Sequence, residues 1–128
     1  MQVLLDTHAL LWWLTNDEHL SHTVRRVIAE PANEILVSAA SAWELSTKHR
    51  LGRLGGCEEI VVRYTEILEA EHFRTLAIEP RHALLAGTYA TRHRDPFDRM
   101  LAAQSELESL PLVTDDEAFR SFPCRTLW

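Results

Sequence analysis

Val3-Leu4-Leu5-Asp6-Thr7-His8-Ala9-Leu10-Leu11-Trp12-Trp13-Leu14 decides the fold. Its first three residues form a contiguous apolar run, as in a short strand of a sheet covered on both faces. The acid Asp6 follows, and then an apolar segment without Gly or Pro that predicts a helix over Thr7 to Leu14. A helix apolar almost all round must be buried in the core or against a partner. One of Trp12 and Trp13 is expected in the core, and the other either there or facing a partner.

Working outward, strand and helix signals alternate. The pattern predicts a helix over 21–29 ended by Pro31, and a strand over 34–37 built on Ile35, Leu36 and Val37. A helix over 41–50 follows, broken by Gly52, Gly55 and Gly56. Residues 58–71 carry Ile60, Val61, Tyr64, Ile67 and Leu68 at helical spacing with acids opposite, and predict one helix. A strand over 76–78, helices over 81–92 and 97–108, and strands over 112–114 and 125–127 complete the chain. This alternation predicts an α/β fold with a mainly parallel central sheet covered on both faces. No repeat or linker interrupts it, so residues 1–128 are expected to form a single domain. Chemistry in such folds sits outside the carboxyl ends of the strands.

Four carboxylates fall where that rule looks. Asp6 follows the first strand, Glu44 lies in the opening turns of the helix after the second, Asp98 is in the first turn of the helix opened by Asp95-Pro96, and Asp116 follows the strand ending at Thr114. Each also fits a capping role. Asp6 or Thr7 fits an N-cap, and Ser41-Ala42-Trp43-Glu44 matches a capping box. Asp95-Pro96 with Asp98 makes a good helix start, and Asp115 or Asp116 fits a turn cap. Capping alone, however, gives no reason for four acids to converge. Acids clustered in a sheet interior repel one another and call for a cation. An all-oxygen donor set without Cys or His suits Mg²⁺ or Mn²⁺ rather than zinc, and such a site supports phosphodiester hydrolysis.

Composition narrows the classes further. The 128 residues are 46% hydrophobic and 25% charged, with a net charge of −6, which does not suit binding of nucleic acid by bulk charge. The positive charge is clustered, in Lys48-His49-Arg50 with Arg53 and in Arg92-His93-Arg94 with Arg99. Lys48, Arg50, Arg53, Arg94 and Arg99 are therefore candidate phosphate contacts, although a solvated helix face explains the same runs. Twelve of the 13 basic residues are arginine, which suits bidentate phosphate binding. No apolar run reaches the roughly 20 residues of a membrane span, and no signal peptide is apparent. A cytoplasmic protein is expected. Cys57 and Cys124 form no CxxC pair and are expected to be free thiols. The seven histidines show no zinc spacing.

Four stretches carry a family resemblance. Asp6-Thr7-His8-Ala9-Leu10-Leu11-Trp12 resembles the opening of PIN-domain proteins of the VapC toxin type. Ser38 to Leu45 followed by Lys48-x-x-Leu51-Gly52-Arg53-Leu54 resembles their second motif, His93 to Gln104 their third, and Leu112-Val113-Thr114-Asp115-Asp116-x-x-Phe119 their fourth. The resemblance implies a PIN-like three-layer α/β/α sandwich and a metal-dependent endoribonuclease that cleaves RNA (tRNA, rRNA or mRNA). It implies Mg²⁺ or Mn²⁺ held by Asp6, Glu44 and Asp98, with Asp116 as the fourth acid and Thr7, Ser38 and Thr114 as supporting hydroxyls. Asp95 is open as a second acid beside Asp98, and Asp115 as an alternative to Asp116. It further implies a cognate antitoxin that lays a C-terminal segment into a groove between helices, and a homodimer or a hetero-oligomer with that antitoxin. A PIN nuclease of RNA processing or decay and a non-catalytic α/β binding domain are the alternatives. A receiver-like phosphoryl-transfer domain normally needs a lysine late in the sheet, whereas the only lysine here is Lys48.

Overall fold

The capping chemistry sets the starts of the helices. In the computed structural model, which describes residues 1–128, β1 (Gln2–Leu5) runs into α1 (Thr7–Leu14), whose N-cap is Asp6. Its carboxylate accepts from the Ala9 N–H at 2.6 Å. Ser21 caps α2 (His22–Ala29) by accepting from the Val24 N–H. β2 (Glu34–Ser38) passes directly into α3 (Ala39–Arg50), and its last residue, Ser38, is the cap. The expected capping box at Ser41 is therefore not used. The helix begins earlier, and the Ser41 hydroxyl instead meets the Thr7 hydroxyl at 3.0 Å.

The predicted helix over 58–71 is two helices, α4 (Glu58–Val62) and α5 (Tyr64–Ala70), separated at Arg63. The β-branched run Ile60-Val61-Val62 is a poor helix former, but both pieces still face the core through Ile60 and Leu68. β3 (Arg74–Leu76) lies two residues earlier than expected, because Leu76 pairs with Ser38 and the Ala77 carbonyl turns to accept from Gln104. α6 (Pro80–Thr88) ends short of the predicted Arg92, and α7 (Pro96–Glu108) follows, capped by Asp95. β4 (Leu112–Val113), a 3₁₀ helix (Glu117–Ser121) capped by Asp116, and β5 (Thr126–Leu127) end the chain.

The five strands are all parallel, in the order β3-β2-β1-β4-β5. Alternate residues build two cores. Val3, Leu5, Ile35, Val37 and Val113 face α1 to α5, while Leu4, Leu36 and Leu112 face α7 and the 3₁₀ helix through Leu101, Phe119 and Phe122. The result is an α/β/α sandwich, with α6 laid on α7. The chain winds from β1 outward to β3, then returns to start again at β4 on the other side of β1. Helices on the two flanks therefore diverge between β1 and β4, and the crevice at their carboxyl ends is the topological switch point. Asp6 and Thr114 are the residues that follow those two strands.

Candidate metal centre and active site

Register brings Asp6, Ser38 and Thr114 to one rim, since Leu5 pairs with both Val37 and Val113. Asp6 is 3% exposed, and burial pushes its carboxyl above the usual range. The Thr114 hydroxyl and the Ala9 N–H bond to it and pull the other way, as does the charge of His8. Ser38 is buried and donates to Gln104 Oε1, tying α7 to the end of β2. Gln104, fully buried on α7, also donates from Nε2 to Ala77 O.

Glu44 reaches the same rim from α3. Residues three apart share a helix face, so the Thr7–Ser41 contact draws Glu44 toward the start of α1. Glu44 is buried, and its carboxylate is held by Lys48 Nζ at 3.0 Å. Asp98 enters from α7. Its carboxyl is pushed up to about 6, chiefly by burial and then by the charges of Asp95 and Glu44. The His93 ring opposes this from 2.8 Å. Glu44 and Asp98 thus sense each other's charge, while Asp6 senses that of Asp115.

The remaining candidates divide. Asp95 is the α7 cap, and its Oδ1 accepts from the N–H groups of Phe97 and Asp98 at 2.9 and 3.1 Å. Asp116 is exposed and caps the 3₁₀ helix through the Ala118 N–H. Lys48 is committed to Glu44. Arg99 donates to five backbone carbonyls, those of Ala86, Gly87, Tyr89, Thr91 and His93. These include carbonyls at the end of α6, which lack helical partners, and the guanidinium accounts for the early end of that helix. Arg99 is therefore a clamp on the 86–93 segment that delivers His93 to Asp98, not a free phosphate contact. Arg50, Arg53 and Arg94 are exposed and take part in no salt bridge.

A second group of acids lies at the other end of α7. Glu79, His82 and Glu108 bring one donor atom each within 4.8 Å of one another. His82 is fully buried; the Glu79 N–H donates to its Nδ1, leaving Nε2–H to donate to Glu108 at 2.8 Å. Arg81 bridges both acids. A cation is already built into this group, so its polar atoms are satisfied from within. Glu79 and His82 lie together at the start of α6, but Glu108 comes 26 residues after His82 on α7, so only the fold reveals the group.

The comparisons place this architecture. The family model described as "PIN domain" matches residues 3–123. The chain belongs to the PIN-domain family. This PIN domain is 32% identical over 120 residues to Ribonuclease VapC22 of Mycobacterium tuberculosis, an alignment that covers 93% of this chain and 90% of the relative. The same fold occurs in the structure of VapBC2 from Rickettsia felis bound to a promoter DNA fragment. There the TM-score is 0.72 at 15% identity, covering 100% of this chain and 98% of the other. It also occurs in FitAcB from Neisseria gonorrhoeae, with a TM-score of 0.69 at 20% identity over 100% and 97% of the two chains. Within the PIN domain, reading the sequence alone missed His93, Gln104 and Ser41 as parts of the site. His93 was masked by its place in a basic run, Gln104 by partners (Ser38 and Ala77) far away in the chain, and Ser41 by an apparent cap.

Proposed function

We propose that this PIN domain is a divalent-metal-dependent endoribonuclease, the cytoplasmic toxin of a toxin–antitoxin pair. The observation that carries the reading is the position of Asp6, Glu44 and Asp98, two buried carboxylates and one half-buried, at the switch-point rim of a chain similar to a ribonuclease over most of its length. The donor set fits a hard cation. It is carboxylate and hydroxyl oxygen, burial raises the carboxyls of Asp6 and Asp98, and the counter-charges are Lys48, His93 and the exposed His8. Asp6, Glu44 and Asp98 would hold Mg²⁺ or Mn²⁺, with Asp116 or Asp115 completing the set from the end of β4. An ion held there supplies Lewis acidity toward water and the scissile phosphate.

The chain's own residues do the rest. Thr7 and Ser41 lock the starts of α1 and α3 together, so Asp6 and Glu44 keep a fixed separation. Thr114 holds the Asp6 carboxylate, and Gln104 holds the end of β2 against α7. Lys48 and His93 hold the carboxylates of Glu44 and Asp98 in place at the rim. Asp95 fixes the first turn of α7, so Asp98 points to the rim. Arg50, Arg53 and Arg94 guide the phosphate backbone in. An antitoxin segment fits the apolar cleft of about 390 Å³ between Ala42, Trp43, Leu45, Ser46, Val61 and Tyr64, which adjoins Glu44. Trp43 is 58% exposed there and lies edge-on to Phe97.

Incubation of total RNA with wild type and Asp6→Asn, each with Mn²⁺ or EDTA, tests the proposal. Discrete products from the wild type with metal alone are expected, and their mapped ends name the RNA. Matching traces from wild type and variant would leave a contaminant or a non-catalytic domain.

A further inference from the structure

The rim carries an aromatic surface that the carboxylates do not use. Trp12 lies at its centre. The His19 ring stacks on it at 5.3 Å and 19°, Trp128 meets it edge-on at 5.7 Å and 68°, and His8 tilts against it at 5.8 Å and 39°. His8 is two residues from Asp6, and the charges of His8 and Asp115 both reach that carboxylate, so the surface begins at the catalytic rim. Thr114 N–H donates to Leu127 O, which sets Trp128 beside the end of β4. Trp128 is the one apolar side chain in a cleft of about 260 Å³ that also holds Asp115, Asp116, Glu117 and Arg120.

Both indoles pack on the main core along one side, and neither that packing nor phosphate binding accounts for the side of Trp128 that lines the cleft. The two indoles are half-buried, and imidazoles rather than aliphatic side chains pack beside Trp12, with both histidines exposed. The cleft is acidic and Arg120 is spent on Glu117 at 3.4 Å, so it offers a phosphate no free cation of its own. A flat ligand with a π face and polar edges fits where a phosphate does not. Beside a phosphodiester site, that ligand is a nucleobase, and only an unpaired one exposes its face. We propose that Trp128, braced by Trp12 and His19, stacks an unpaired base of the RNA next to the scissile phosphate, so that the substrate is single-stranded there. The inference rests on the nuclease reading above.

The test uses RNA oligonucleotides carrying 2-aminopurine at successive positions, mixed with wild type, Trp128→Ala, Trp128→Phe and His19→Ala. In EDTA, stacking quenches 2-aminopurine without cleavage. Quenching at one or two positions is expected with wild type and Trp128→Phe, weaker quenching with His19→Ala, and none with Trp128→Ala. With Mn²⁺, Trp128→Ala should raise KM for the single strand about tenfold, in line with the usual strength of base stacking, and leave kcat within about twofold. Trp128→Phe should restore the KM. Unchanged quenching and KM in Trp128→Ala overturn the proposal. Should Trp128→Ala fail to fold by circular dichroism, Trp128→Leu takes its place, and full quenching in both Trp128→Leu and His19→Ala overturns the proposal equally. Absence of cleavage by wild type, with Trp128-dependent quenching intact in EDTA, would instead sink the nuclease reading and leave the base platform standing.

Discussion

The two carboxylate groups at the ends of α7 look alike in composition and differ in their counter-charge. Asp98 and Glu108 are ten residues apart, about 15 Å of helix. Around Glu108, an arginine bridges both acids and a buried imidazole donates to one of them. Around Asp98 the acids outnumber the cations. Glu44 has Lys48 and Asp98 has His93, but Asp6 is buried against a hydroxyl and a backbone N–H, with only the exposed His8 as counter-charge and a further acid, Asp115, near it. The first group is a closed structural cluster and the second has an unmet demand for positive charge. Grouping of metal-binding residue types does not by itself mark a metal centre; on the proposed reading, the deficit of cation does.

The largest effect expected from breaking this contrast is catalytic. Asp98→Asn should lower RNA cleavage by at least about 10³-fold, a loss of about 4 kcal/mol in transition-state stabilisation, whereas Glu108→Gln should leave the rate within about twofold. Single-turnover assays on one labelled RNA read both. A slow Glu108→Gln enzyme with intact fold would erase the distinction between the groups.

Stability should show the reverse order. His82→Ala removes a fully buried ring that accepts from the Glu79 N–H and donates to Glu108, and should cost about 2–3 kcal/mol in urea unfolding. Arg99→Gln strands up to five carbonyls and belongs in the same range. Cleavage should then also fall, because His93 loses its anchor. Wild-type stability in either variant would show that water satisfies these groups as well.

A smaller effect separates the groups by pH. The Asp98 carboxyl titrates near 6 in the folded chain, above its ordinary 3.8. Between those values the folded state holds the extra proton, so the metal-free protein should lose stability as pH rises from about 4 to about 6, by on the order of 2 kcal/mol. Asp98→Asn should flatten that slope, and millimolar Mn²⁺ should recover the loss at pH 7.5 with a rise of several degrees in Tm. A slope equally steep in Asp98→Asn would place its origin elsewhere. Smallest of all, Arg94→Ala or Arg50→Ala should weaken RNA binding severalfold and reduce its salt dependence; filter binding at two salt concentrations measures it.

Much of this contrast was legible in the sequence on one side only. The apolar run 3–5, the acid after it and the Asp95-Pro96 helix start are local signals, and they place Asp6 and Asp98 at the carboxyl end of a parallel sheet. Asp6, Ser38 and Thr114 then meet because parallel register aligns the ends of β1, β2 and β4. What the sequence hid are tertiary choices. Ser38 and Ser41 both fit a cap, and contact of Ser41 with Thr7 decides between them. Arg99 reads as a basic patch residue until the loop folds around it. Glu108 joins Glu79 and His82 from 26 and more positions away, and nothing in the sequence announces that meeting. Asp115 and Asp116 are adjacent, and only the fold shows the first acting on Asp6 while the second caps a helix.

On the proposed function, the cation deficit at Asp6, Glu44 and Asp98 binds a divalent metal and the balanced cluster at Glu108 does not. Calorimetric titration of Mn²⁺ into wild type, Asp98→Asn and Glu108→Gln tests it most directly. The account predicts binding heat in wild type and Glu108→Gln and its loss in Asp98→Asn. Heat that survives in Asp98→Asn and vanishes in Glu108→Gln would contradict it.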